Sequence, residues 1–264
     1  YVRNTGLELS LGYGHTWNNY FRWDSNFTLS HNKNKIKELV RDYVHPETGE
    51  LINKDRLDVG GLGKARFILK EGGTLGDLYT QSDLKRDDNG MVDIDPTGIV
   101  AIENNLPDIK LGSVFPKANL AWSNHFSWKG ISLSALFTAR IGGIVYSATE
   151  AAMDQYGVSE RSALARDNGG VLVNNRTLVD AQNYYTTIGS ESGLPQYYTY
   201  NATNVRLQEA SIGYLIPRKW LGNVCDIQVS VIGRNLWMIY NKAPFDPESV
   251  ATTDNYYQGI DYFM

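Results

Sequence analysis

FRWDSNFTLSHNKNKI, residues Phe21 to Ile36, alternates between two kinds of side chain along most of its length. Phe21, Trp23, Phe27 and Leu29 fall on one face, while Arg22, Asp24, Asn26, Thr28 and Ser30 fall on the other. Successive side chains of a strand point to opposite sides of the sheet, so this period of two spells a strand with one apolar and one polar face. Soluble strands usually end after about five or six residues, whereas a strand that crosses a bilayer needs about nine to eleven. Phe21–Ile36 is in the longer class, and so is Lys117–Trp128.

Working outward, the same alternation returns. Leu7, Leu9, Leu11 and Tyr13 oppose Glu8, Ser10 and Gly12. Leu120, Trp122, Phe126 and Trp128 oppose Ala121, Ser123, His125 and Ser127. Ile131, Leu133, Ala135 and Phe137 oppose Ser132, Ser134 and Thr138, and Ile227, Val229 and Val231 oppose Asp226, Gln228 and Ser230. Short breaks near Asn18–Asn19, at Lys129–Gly130 and through Leu215–Asn223 read as hairpin turns. Between those hairpins lie long polar stretches, Lys37–Val114 and Gly142–Thr203. Outer-membrane barrels have this asymmetry, with short periplasmic turns and long extracellular loops. Loops of that length count against a strand assignment in an ordinary soluble domain.

Trp17, Trp23, Trp128 and Trp220 flank or occupy the three turns. Indole rings favour the membrane–water boundary, where barrels carry an aromatic girdle. The expected fold is therefore all-β, an antiparallel transmembrane β-barrel segment of about six long strands with long extracellular loops. The apolar set should face lipid and the polar set the lumen. A soluble secreted β-sandwich or solenoid that binds carbohydrate also alternates, with its polar face toward water, and is the competing reading.

Composition narrows the function classes. Net charge is −4 and no block of Lys or Arg occurs, which argues against nucleic acid as a partner. Cys225 is the only cysteine, so no disulfide staple or CxxC site can form within the chain. His15, His31, His45 and His125 stand far apart, with no HExxH grouping for zinc. No run of 18 apolar residues encodes a membrane helix. The opening residues lack the regions of a signal peptide, and the expectation is that the protein's beginning lies upstream. No GxSxG, Walker or dinucleotide motif stands in a fitting context, and no enzyme is expected.

Two groups of residues are candidate sites. Asp87–Asp95, DDNGMVDID, resembles a calcium loop, but with Gly90 sixth the first and twelfth places fall on Lys85 and Pro96. An EF-hand needs carboxylates at both ends. A looser calcium site from Asp87, Asn89, Asp93 and Asp95 competes with a solvated polar turn. Tyr184, Tyr185, Tyr197, Tyr198, Tyr256 and Tyr257 lie in the expected extracellular loops, where their rings could stack on sugars or simply pack the loop.

Four stretches resemble the SusC/RagA family of TonB-linked outer-membrane transporters. They are Val2–Leu11 (VRNTGLELSL) with Phe21–Ile36; Leu111–Lys117 (LGSVFPK) with Phe126–Phe137 (FSWKGISLSALF); Asn204–Pro217 (NVRLQEASIGYLIP); and Val231–Trp237 (VIGRNLW) leading to Phe245–Glu248 (FDPE). They follow family order and span nearly the whole chain. The resemblance implies a barrel of roughly 22 strands, of which this chain supplies about a quarter of the wall. It also implies an N-terminal plug, energy supplied through TonB, a SusD-like surface lipoprotein as lid, and glycan or peptide oligomers as cargo. The plug and TonB-contacting segment are not found in residues 1–264, and the family's last strand is expected beyond Phe245–Glu248. The chain thus reads as one partial barrel domain of a Gram-negative outer membrane.

Overall fold

The structure, a computed structural model, describes residues 1–18 and 20–248. Six long strands form one antiparallel sheet in chain order: β1 (Val2–Trp17), β2 (Phe21–Ile36), β3 (Ala118–Trp128), β4 (Ile131–Ile141), β5 (Asn204–Ile216) and β6 (Ile227–Asn241). β1 and β6 are its edges, and they do not pair with each other among the described residues. The wall is an open sheet, not a closed barrel.

Turn chemistry sets the connections at one end. Lys129 and Gly130 both have positive φ, 47° and 90°, as a two-residue turn matched to strand twist requires. Glycine is needed at the second place, because a Cβ on Gly130 would lie 3.0 Å from the Leu215 carbonyl oxygen. Pro217, a short 3₁₀ turn over Arg218–Leu221 and Gly222 at φ 64° join β5 to β6. Register places all three turns together: Phe21 pairs with both Trp17 and Trp128, and Ile131 pairs with Tyr214.

At the other end the two long connections are not open loops, and here the structure corrects the sequence expectation. The first folds into a four-stranded sheet of Arg56–Leu62, Ala65–Lys70, Asp77–Thr80 and Ile109–Ser113, with a hairpin of Val40–Val44 and Leu51–Lys54. The second carries helices α1 (Ala148–Gln155), α2 (Glu160–Asp167) and α3 (Ala181–Gly189). The N–H groups of Glu150, Ser162 and Asn183 donate to the side chains of Ser147, Ser159 and Asp180, which cap these helices. Both connections share one core, built on Leu78, Leu84, Val100, Tyr146, Ile188, Leu194 and Tyr198. They form a crown on the wall. Its strands run from two to seven residues and its helices eight or nine, too short for hydrophobic periodicity to stand out.

Candidate functional site

The six strands present two unlike faces. Pairs Glu8–Ser30, Ser10–Thr28 and Gly14–Asp24 lie on one face, which continues through Ala121–Thr138 and Ser134–Ser211. Polar groups there bind one another. Arg22 donates to Asp24 at 2.6 Å, Arg234 to Glu209 at 2.9 Å and Ser10 to Asn26 at 3.3 Å, and the Ser134 and Ser211 hydroxyls meet at 2.5 Å. A groove of about 520 Å³ opens on this face, lined by Glu8, Ser10, Thr28, Asn119, Arg140 and Glu248 among others. One guanidinium, two carboxylates and several hydroxyls and amides suit a polar solute or water, not an apolar ligand.

The opposite face is apolar in rows across the strands. One row holds Leu9, Leu29, Leu120 and Ala139; another Leu11, Phe27, Trp122, Phe137, Leu207 and Trp237. A third holds Trp23, Phe126, Leu133, Ile212 and Val231, and the row at the turns holds Trp17, Phe21, Trp128, Ile131, Tyr214 and Val229. These rows contain no Asp, Glu, Lys or Arg. Nothing packs over this face among the described residues: Leu7 is 62% exposed, Val231 69% and Trp237 62%. An apolar surface of that extent is untenable in water. Two of its indole N–H groups are satisfied within the face, Trp23 donating to Asn124 Oδ1 at 3.1 Å and Trp122 to Ser25 Oγ at 2.9 Å. Hydrocarbon demands such internal pairing, because it offers polar groups no partner.

Aromatic rings gather at the turn end. Trp17 and Phe21 lie 5.5 Å apart, Phe21 and Phe126 6.3 Å, and Trp23 stacks on Phe126 at 6.0 Å. Lys129 Nζ sits 5.6 Å from the Tyr20 ring and 5.4 Å from the Trp128 ring. The sequence placed four tryptophans at this end, and it overlooked that Trp122 and Trp237 share the row around Phe137 farther along the strands.

The tyrosines singled out in the sequence separate on inspection. Tyr198 is fully buried, and its hydroxyl donates to Asp154 at 2.9 Å while the Arg161 guanidinium lies 4.9 Å from its ring. Burial, reinforced by the Asp154 charge, pushes its phenol up. That packing corrects its candidacy for stacking on cargo, since no ring face is free. Tyr184, Tyr185 and Tyr197 are partly buried against the same core, with Tyr184 and Tyr185 edge to face at 5.5 Å. Tyr256 and Tyr257 lie outside the described residues.

The acidic loop resolves into two successive turns. Asp87 Oδ1 accepts the N–H groups of Asn89 and Met91, both at 2.9 Å. Asp95 Oδ1 accepts those of Thr97 and Ile99, each at 2.8 Å, and the Ile99 N–H chiefly holds its carboxyl below the usual range. Asp93 pairs with Lys85 at 2.7 Å. Asp87, Asp93 and Asp95 therefore do not converge, and the described residues hold no group of three acids, histidines or cysteines able to bind a metal. Asp87 and Asp95 are engaged by their own turns and Asp93 by Lys85, so the loop offers no cage of free carboxylates.

One junction went unnoticed in the sequence. Arg206 on the polar face of β5 is buried with Asp246 at 2.5 Å, and Glu248 lies 3.4 Å from the same nitrogen. Asn204 donates to Glu248 at 3.1 Å, and Phe245 packs with Val145, Ala202 and Ala243. The Phe245–Glu248 segment is thereby clamped onto the crown end of the wall. The signal lay in two of the quoted stretches, one carrying Arg206 and the other Asp246.

No family model matches the chain. Along 99% of its length it is 25% identical to the TonB-dependent receptor P3 of Formosa agariphila, and it spans 27% of that relative. Two solved structures of the RagAB peptide transporter, one in an open-open state, superpose with a TM-score of 0.59 each at 18% identity. They cover 90% and 93% of this chain, which corresponds to 25% and 26% of theirs. The chain thus spans about a quarter of the length of these proteins.

Proposed function

From its homology to the TonB-dependent receptors, which are transporters of the Gram-negative outer membrane and not enzymes, we propose that this chain is part of a barrel wall for nutrient uptake. The carrying observation is the exposed apolar face of the six-stranded sheet, whose rows from the turns to Leu9 carry no charge. Lipid covers that face, and the groove lined by Glu8, Thr28, Asn119 and Arg140 belongs to the lumen. The edges β1 and β6 pair with further strands of the same wall, because an open edge in lipid leaves N–H and C=O groups unsatisfied at several kcal/mol each. The full barrel has roughly 22 strands and a plug from another part of the protein, gated through TonB.

The crown faces the outside and meets a SusD-like lipoprotein and the cargo. Of glycans and peptides, peptide oligomers are the better-supported cargo, since the superposable RagAB structures are described as a peptide transporter. Tyr184, Tyr185 and Tyr197 remain the crown's candidates for touching cargo. Impermeant thiol labelling of intact cells tests the orientation, in a full-length protein whose Cys225 has been replaced by Ser. Asn89→Cys should be labelled and Lys129→Cys should not; the reverse outcome would overturn the reading. Uptake of labelled oligopeptides against labelled oligosaccharides by the same cells then decides the cargo.

A further inference from the structure

The apolar face changes character at the crown end of the β1–β2 hairpin. Past Leu7 and His31, the next positions on that face are Thr5 and Lys33, then Arg3 and Lys35, as the pairs Thr5–Lys33 and Arg3–Lys35 fix. The residues between them, on the opposite face, are engaged by the crown. Asn34 accepts the Leu75 N–H at 3.1 Å, and buried Ile36 exchanges backbone bonds with Gly72 and Gly73 at 2.8 and 2.9 Å. Arg3, Lys33 and Lys35 point the other way and are exposed. None of the three belongs to an ion pair among the described residues, and neither does Glu38, the acid nearest to Lys35 in sequence.

Three features converge on an anion at this spot. Arg3 and Lys35 stand directly opposite each other, where like charges destabilise an antiparallel pair unless a counter-charge lies between them. They and Lys33 are the first formal charges on a face whose rows hold none, and all three are positive. They also stand where the apolar face ends, at the level where lipid headgroups meet a barrel. We propose that Arg3, Lys33 and Lys35 bind the phosphate of a phosphorylated glycolipid in the outer leaflet. The guanidinium fork takes two phosphate oxygens and the lysines act as point charges, while the acyl chains run along Leu7, Leu9 and Leu29. The apolar row directly below the cations selects a lipid over a free anion. This inference rests on the proposed orientation, with the crown outside.

The test uses full-length protein in detergent, titrated with diphosphorylated lipid A and with its dephosphorylated form, and bound lipid is counted by native mass spectrometry. The variant Arg3→Gln/Lys33→Gln/Lys35→Gln should bind the diphosphorylated form roughly tenfold or more weakly. The parent should bind the dephosphorylated form no better than that variant does. Lys33→Arg/Lys35→Arg should retain binding, which guards against a variant that merely misfolds. Inorganic phosphate should displace no lipid, and displacement would overturn the lipid assignment. If label reaches Asn89→Cys from outside yet the triple variant binds like the parent, this inference fails alone. If that label is excluded, the orientation fails and this inference falls with it.

Discussion

Wall and crown solve the burial problem in opposite ways. The crown follows the rule of soluble domains, with Leu194 and Tyr198 fully buried and its buried carboxylates paired, Asp77 with Lys110 and Asp154 with Arg161. The wall has its apolar side chains outside, on a face that none of the described residues covers, and its ion pairs on the other face. A hydrophobic side chain in the crown is stabilised by leaving water for protein. One on the wall gains little from protein contact and much from the solvent it meets. The same residue type therefore answers to two different solvents within one chain.

The largest effect is expected where the two regions join. Arg206 and Asp246 are almost fully buried, so removing Asp246 leaves the Arg206 charge with only the longer, partly exposed contact to Glu248. Asp246→Asn should cost up to about 3–5 kcal/mol locally, the remaining Glu248 contact setting how far below that range it falls. Hydrogen exchange should then rise in residues 242–248 and in the first residues of β5, with the turn end of the wall unchanged. A double change to apolar residues, Arg206→Met with Asp246→Leu, should restore most of the protection. Failure of both variants to alter exchange would show that the clamp holds nothing.

A matched pair of substitutions comes next and bears on the comparison directly. Leu194→Ala in the crown core should cost about 2–5 kcal/mol through lost burial and a cavity. On the wall, Phe27→Arg should cost about 2–4 kcal/mol if it lies near mid-bilayer, whereas Thr28→Arg, one residue on and facing the groove, should fold nearly as the parent does. Folded yield, read from heat-modifiable gel mobility of full-length protein, measures the wall pair. Equal damage from Arg at Phe27 and at Thr28 would break the distinction between the two faces.

The same contrast explains what was legible in the sequence. The wall was readable because its strands are long, a period of two runs uninterrupted over Leu7–Tyr13 and Ile131–Ala135, and Lys129–Gly130 is a recognisable turn. Facing followed from parity alone. The crown was passed over as loop because its core residues come from many short elements far apart in sequence. Leu84 and Val100 lie in one connection and Ile188 and Leu194 in the other, so no local window shows a pattern. A trace was present nonetheless: Ser147, Ser159 and Asp180 are sound helix caps, and Glu150 follows Ser147 at capping-box spacing. Tyr198 stayed open between stacking on cargo and packing the loop because sequence cannot tell a buried aromatic from an exposed one. The acidic loop stayed open between turn and calcium site for a related reason, since Asp and Asn serve turns and metals equally well until geometry separates them.

The smallest predicted effect concerns acid, and it should touch only the crown. Asp108 accepts Arg56 Nε at 2.8 Å and Nη2 at 3.1 Å, pairs with Lys70 at 2.6 Å and accepts Gln81 at 2.9 Å. The Arg56 hydrogen bonds, followed in effect by Lys70, hold its carboxyl far below the ordinary range. A depressed value in the folded state means that the unfolded chain takes up the proton first. The contribution is therefore complete above about pH 4, the ordinary value, and is lost as pH falls through the much lower folded one. Arg56 and Lys70 remain about one-third exposed, so solvent screening limits the pair to about 1 kcal/mol. Asp108→Asn should lower crown stability by that amount at pH 7, read as faster proteolysis within residues 56–110. The gap between variant and parent should hold down to about pH 4 and close only in stronger acid. A gap that does not change with pH would mean that Asp108 acts through shape and hydrogen bonding rather than charge. A matching change in the wall would mean that crown and wall melt as one unit despite their opposite solvents.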